Sequence, residues 1–135
     1  MTTLFLDCAN GRRLAYRKSD GQSGLTFVWL SGFKSDMTGT KVMELESWAE
    51  SQGHGFLAFD YSGHGESTGA FEEGTISDWR EDALQAIEHC TRGPLVLVGS
   101  SMGGWMALLA ALALKDRVEG LVLIAPAPDF TDKLM

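Results

Sequence analysis

Two kinds of apolar pattern alternate along this chain. Continuous apolar runs recur at Leu25-Thr26-Phe27-Val28-Trp29-Leu30, Gly55-Phe56-Leu57-Ala58-Phe59, Leu95-Val96-Leu97-Val98 and Gly120-Leu121-Val122-Leu123-Ile124. Each is bounded by glycine, proline or polar residues, and such runs predict strands buried on both faces. Helical spacing fills the gaps. Val42, Leu45 and Trp48/Ala49 predict a helix over about 40–52, with Glu44, Glu46 and Glu50 on its other faces and Gly53 ending it. Ile76, Trp79, Ala83, Ile87 and Cys90 predict a second over about 76–90, capped by Thr75 or Ser77. A third, rich in Ala and Leu, runs to about Leu114. Residues 3–8 and 12–18 predict a β-hairpin turning at Asn10-Gly11. The order is a hairpin followed by strand–helix–strand–helix–strand–helix–strand. That alternation predicts an α/β domain with a mostly parallel sheet and right-handed crossovers.

Composition narrows the class. The chain has 135 residues and a formal net charge of −7, so it fits one domain and repels a phosphate backbone. It shows no basic stripe, and nucleic acid is excluded as a partner. Cys8 and Cys90 lie far apart with no CxxC pair, which predicts two reduced core thiols rather than a zinc site or a disulfide scaffold. Asp7 interrupts the short apolar run Leu4-Phe5-Leu6, so no signal peptide is expected. From Gly93 to Leu114 there is no charge, and Gly99 to Gly103 has GxxxG spacing. The segment nonetheless divides into a β-branched stretch, a Gly/Ser turn and an Ala/Leu stretch. That predicts a buried strand and a buried helix, not a membrane span.

The turn inside that segment carries the chemistry. Gly99-Ser100-Ser101-Met102-Gly103-Gly104 has the G-x-S-x-G form, with a strand predicted before it and a helix after it. A sharp strand-to-helix reversal brings the residues two positions either side of its apex into collision. Gly99 and Gly103 remove their side chains there, and Gly104 is expected to let the helix lie close to the sheet. Only Ser101 has glycine at both −2 and +2, so Ser101 rather than Ser100 is the expected nucleophile. Ser31-Gly32-Phe33 follows the first buried strand, where this architecture places a backbone donor. Phe33 N–H and Met102 N–H are the expected oxyanion hole, worth about 3–4 kcal/mol per donor.

Other residues are weaker candidates. His64, in Asp60-Tyr61-Ser62-Gly63-His64-Gly65-Glu66-Ser67, precedes the serine, whereas this order of triad places histidine last. That loop reads instead as structural, with Asp60 and Ser67 bonding backbone groups. His54 and His89 read as structural or solvated. Asp129, just after the fourth buried strand, is a possible triad acid, because geometry rather than chain order defines a triad.

The hairpin, Leu30-Ser31-Gly32-Phe33, the Asp60-to-Ser67 loop and the Ser101 elbow together resemble the α/β-hydrolase superfamily. Gly32 to Lys41, Phe59-Asp60-Tyr61-Ser62-Gly63-His64-Gly65 and Gly99 to Trp105 resemble one group within it. That group is the mitochondrial palmitoyl-protein thioesterase that also hydrolyses acyl-glucuronides, with its bacterial relatives. The resemblance implies a bacterial (or organellar) carboxylic-ester or thioester hydrolase, cytoplasmic, without cofactor or metal, acting on a small-molecule ester or acyl-thioester. It also implies that the acid and histidine follow two further strands, so they are expected to be absent from this chain. The chain then corresponds to the N-terminal, nucleophile-bearing part, inactive or very weak alone. The alternative is a catalytically incomplete fragment serving as a binding or scaffold chain. A sheet that stops at Leu121–Ile124 leaves an apolar edge, and self-association through it, or capture of a complementary segment, is expected.

Overall fold

A computed structural model describes residues 3–8, 13–31, 40–61, 67, 76–100 and 102–124. The hairpin strands are β1 (Leu4–Asp7) and β2 (Arg13–Ser19). They are followed by β3 (Thr26–Leu30), α1 (Thr40–Ser51), β4 (Gly55–Phe59), α2 (Ile76–Cys90), β5 (Leu95–Ser100), α3 (Met102–Ala113) and β6 (Val118–Ile124). The expected order holds element by element. The Asn10-Gly11 turn and Thr75 lie outside the described residues. Ser77 is the second residue of α2 rather than a residue preceding it.

The strands form one sheet in the order β1-β2-β4-β3-β5-β6. The hairpin is antiparallel, and β2 joins β4 antiparallel with Tyr16 opposite Phe59. The pairs β3–β4, β3–β5 and β5–β6 are parallel. This is the α/β-hydrolase fold class expected from the motifs. Residues of alternating parity face opposite sides. Val28, Leu30, Leu57, Phe59, Leu95 and Leu97 form one core with Trp79, Ala83 and Ile87 of α2 and Met106 and Ala110 of α3. Ala15, Trp29, Phe56, Ala58 and Val98 form the other with Val42 and Ala49 of α1. The charge-free segment resolves into β5 and α3. Among the described residues no helix is long and apolar enough to cross a membrane.

Two expectations are corrected. Glu46 is not on a solvated face of α1. It is 5% exposed, and its Oε2 lies 3.5 Å from Nε of the equally buried Arg17 on β2. Position 46 falls on the same stripe as Val42 and Ala49, and a partner cation on the sheet lets a carboxylate occupy it. Among the described residues the last strand, β6, pairs with β5 alone, and Leu121, Val122 and Leu123 are exposed rather than covered.

Candidate active site

The C-terminal ends of β3, β4, β5 and β6 share one edge of the sheet, because all four run parallel. In open α/β sheets this edge is where ligands bind. There β5 ends at Ser100 and α3 begins at Met102, so a single residue joins strand to helix. That residue is Ser101, which itself lies outside the described residues. Its two flanking glycines are described, and both are sterically required. A Cβ on Gly99 would overlap the Gly103 carbonyl oxygen and stand 2.7 Å from the Gly104 nitrogen. A Cβ on Gly103 would overlap the Leu30 carbonyl oxygen and stand 2.8 Å from that of Ser31. The helix therefore starts against the end of β3 as well as over its own strand.

Gly104 behaves differently from expectation. A Cβ there would meet only Leu123 Cδ2, at 3.6 Å, which is ordinary contact. Gly103 makes the close approach to the sheet, and Gly104 does not.

The expected oxyanion donors divide between described and undescribed residues. Met102 opens α3, where the first N–H groups of a helix have no intrahelical acceptor and the helix dipole favours negative charge. Phe33 lies outside the described residues. The strand leading to it ends at Leu30, which stands opposite Gly99 in the β3–β5 register. Thus residue 31 leaves the sheet beside the elbow, and Ser31 is itself 1% exposed.

β4 ends at the same edge, and His64, which follows it in sequence, lies outside the described residues, as does Asp129. Ser67 ties back to β2 and to the residue that follows β4. Its hydroxyl accepts a hydrogen bond from Ala15 N–H at 2.8 Å and donates one to the Asp60 carbonyl at 2.7 Å. Ser67 therefore bonds backbone groups as read from the sequence. Beneath it, Tyr61 is fully buried and packs edge-on against Phe59, with ring centroids 5.3 Å apart. Burial first, and the nearby Asp82 charge second, push its phenol well above its usual range.

The remaining histidines stand at the opposite edge. His54 immediately precedes β4, accepts or donates a 2.7 Å hydrogen bond with Ser23 Oγ, and packs on Phe27 and Trp48. His89 lines a cavity of about 420 Å³ with Lys18, Thr26 and Cys90, beside the starts of β3 and β4. A five-residue strand separates that edge from the elbow by roughly 16 Å at about 3.3 Å per residue. Neither imidazole is placed to take a proton at residue 101. Cys90, at this far edge, has its thiol pushed up chiefly by burial, with Lys18 and Tyr16 opposing. Neither cysteine is in a disulfide. Among the described residues no three His, Cys, Asp or Glu side chains gather where they could hold a metal ion.

Comparison with known proteins agrees with this geometry. The Hydrolase_4 family, described as serine aminopeptidase S33, matches residues 27–134. Human palmitoyl-protein thioesterase ABHD10, mitochondrial, is 44% identical over 126 residues, which cover 93% of this chain and 40% of that protein. Its bovine counterpart is 43% identical over the same span. The solved structure of mouse alpha/beta hydrolase domain-containing protein 10 superposes with a TM-score of 0.91 at 37% identity, covering 99% of this chain and 53% of that one. A structure from Agrobacterium vitis S4, a protein named only as a hydrolase, gives a TM-score of 0.87 at 46% identity, covering 99% and 56%. The chain thus spans about two fifths of the curated relatives it matches. These relatives are named as mitochondrial, which overturns the expectation of a cytoplasmic protein drawn from the sequence.

Proposed function

As the chain belongs to the Hydrolase_4 family of α/β-hydrolases, we propose that it supplies the nucleophile of a serine hydrolase acting on carboxylic esters or thioesters. One observation carries this reading. A single residue, a serine, joins β5 to α3 between two glycines, neither of which has room for a side chain. That position lies in sequence between the C-terminal end of β5, at the edge where open α/β sheets bind ligands, and the first amides of α3.

In the proposed reaction Ser101 Oγ attacks the acyl carbon, and its proton passes to a histidine base. The carbonyl π bond opens, and negative charge collects on the oxygen. Met102 N–H and Phe33 N–H stabilise that oxyanion. Collapse expels the alcohol or thiol, which takes the proton from the imidazolium, and leaves an acyl ester on Ser101. Water, activated by the same base, then releases the carboxylic acid. The base is neither His54 nor His89, which lie at the far edge. The names of the relatives support a thioester substrate, since the human and bovine proteins are called palmitoyl-protein thioesterases.

The position of those two histidines, away from the elbow, favours a second reading, in which this chain is a catalytically incomplete fragment serving as a binding or scaffold chain. One assay separates the two. Wild type and Ser101→Ala are given a p-nitrophenyl ester, an acyl thioester and a fluorophosphonate probe, and the labelled peptide is mapped by mass spectrometry. Labelling at Ser101, with turnover lost in the alanine variant, supports the hydrolase. Where the base or its acid is lost, about 10³–10⁴-fold acceleration over water remains from the oxyanion hole and binding. In the complete protein, no labelling and identical rates in both variants reject the hydrolase and leave the binding chain.

A further inference from the structure

We propose that the cavity of about 420 Å³ at the edge opposite the elbow binds a phosphate group, free or carried on a small molecule. Its floor is the α2 side of the sheet. Lys18 follows Tyr16 on the same side of β2, and Thr26 shares the parity of Val28 and Leu30, so both side chains face α2. Its roof is the end of that helix, with His89 and Cys90, and then Arg92. The volume lies within the ~300–1,000 Å³ of small-molecule sites. The floor spans β2, β4 and β3, and β5 separates it from β6, so β6 has no part in it.

The charge of the cavity runs against that of the chain. The whole sequence carries −7, yet here two fixed cations, Lys18 and Arg92, meet one carboxylate, Asp20. Among the described residues the side chains of Arg92, His89 and Thr26 have no hydrogen-bond or ion-pair partner. Lys18 Nζ donates to the Cys90 carbonyl at 3.2 Å and lies 3.6 Å from Asp20 Oδ1. The first contact answers the negative end of α2, which would otherwise repel an anion. The second is weak, because the Asp20 side chain is 90% exposed, and an anion in the cavity can displace it. An ammonium, a guanidinium, an imidazole and a hydroxyl are offered from floor and roof. That spread of donors suits a tetrahedral phosphate, with oxygens on every side, better than a planar carboxylate.

The walls are held before any ligand arrives. Ser23 N–H donates to the Gly53 carbonyl at 3.0 Å, Gly55 N–H to that of Leu25 at 2.9 Å and Thr26 N–H to that of Pro94 at 3.1 Å. A Cβ on Gly21 would overlap the Gly53 carbonyl oxygen, and one on Gly55 would stand 2.7 Å from Thr26 Oγ1. The loop from Asp20 to Leu25 is thus fastened to the start of β4, and Gly55 leaves room for the Thr26 hydroxyl on the floor. A site that need not order itself on binding loses less affinity to entropy.

Amide NMR titration of the complete protein tests the proposal, with inorganic phosphate, glycerol phosphate and acetate at one ionic strength. Phosphate should give saturable shifts at Gly24, Thr26, Thr91 and Arg92, and acetate should not. Tighter binding of glycerol phosphate assigns the site to an organic phosphate, and equal or weaker binding assigns it to the free anion. Arg92→Ala should weaken phosphate about tenfold or more, with an unchanged circular-dichroism spectrum. Asp20→Asn should tighten it about twofold to fivefold, because it removes the competing carboxylate. That gain decides the matter even if the arginine variant fails to fold. Acetate binding as tightly as phosphate, no saturation in the millimolar range, or a Kd unchanged in both variants would each overturn it.

Discussion

Gly103 lies so close under Leu30 that a methyl group on its Cα would overlap the Leu30 carbonyl oxygen. Neither partner is the end of a flexible side chain. Both are backbone, one at the start of a helix and one at the end of a central strand. The elbow and the end of β3 therefore hold one another in place, and the position of residue 101 depends on β3 as much as on β5.

Substitutions at two adjacent glycines should separate in consequence. Gly103→Ala forces backbone apart and should cost about 3 kcal/mol or more. Gly104→Ala meets only the tip of Leu123, and inside a helix alanine is favoured over glycine by up to about 1 kcal/mol. It should be neutral or stabilising. Urea midpoints of the two variants check this, and equal losses would show that Gly104 is as tightly held as Gly103.

The Arg17–Glu46 pair gives a second test. Both side chains are about 6% exposed, and Arg17 Nη2 also contacts Met43 Sδ at 3.3 Å. Arg17 Nε and Glu46 Oε2 have no hydrogen-bond partner. Such a pair is costly to break from one side and inexpensive to replace from both. Glu46→Ala should lose about 3–5 kcal/mol, whereas Arg17→Met combined with Glu46→Leu should stay near wild type or exceed it. A double variant as unstable as the single one would mean that the charges specify this helix position.

Alkaline stability should report on Tyr61. Its phenol keeps its proton in the fold far above the ordinary value near 10, for reasons of burial and then of Asp82. Above pH 10 the unfolded chain therefore binds fewer protons than the folded one, and stability falls as pH rises. It is unaffected by this group below pH 10. The slope from one such tyrosine is about 1.4 kcal/mol per pH unit. Tyr61→Phe should flatten the decline measured by urea unfolding between pH 9 and 11, and a slope unchanged by the substitution would contradict the assignment.

Ser67 offers a local readout. Its hydroxyl bridges Ala15 N–H on β2 and the Asp60 carbonyl just past β4. Ser67→Ala leaves both backbone groups without that partner, at a cost of about 1–3 kcal/mol. Amide exchange at Ala15 should accelerate by more than exchange in β5. Uniform acceleration across the sheet would place the loss elsewhere.

What the chain determines by itself is what neighbouring residues can decide. Continuous apolar runs, a hairpin turn signal and helical spacing, with glycines between them, located the six strands and three helices of the described residues, because backbone geometry and side-chain direction repeat locally. The glycines two residues either side of Ser101 were legible for the same reason: the collision they avoid lies within one turn of chain. The order β1-β2-β4-β3-β5-β6 was not written locally, since it depends on which elements meet after long connections. Nor was the burial of Glu46. Its place on the Val42–Ala49 stripe was visible, but only the sheet brings Arg17 to it from 29 positions away along the chain. Gly104 looked like the contact residue until α3 was placed, and its rotation on the sheet gave that role to Gly103. Similarly, the run Gly120–Ile124 has the pattern of a fully covered strand, yet its exposure depends on what lies beside it. Periodicity specifies which face of an element is apolar. What that face touches is set only when the elements pack.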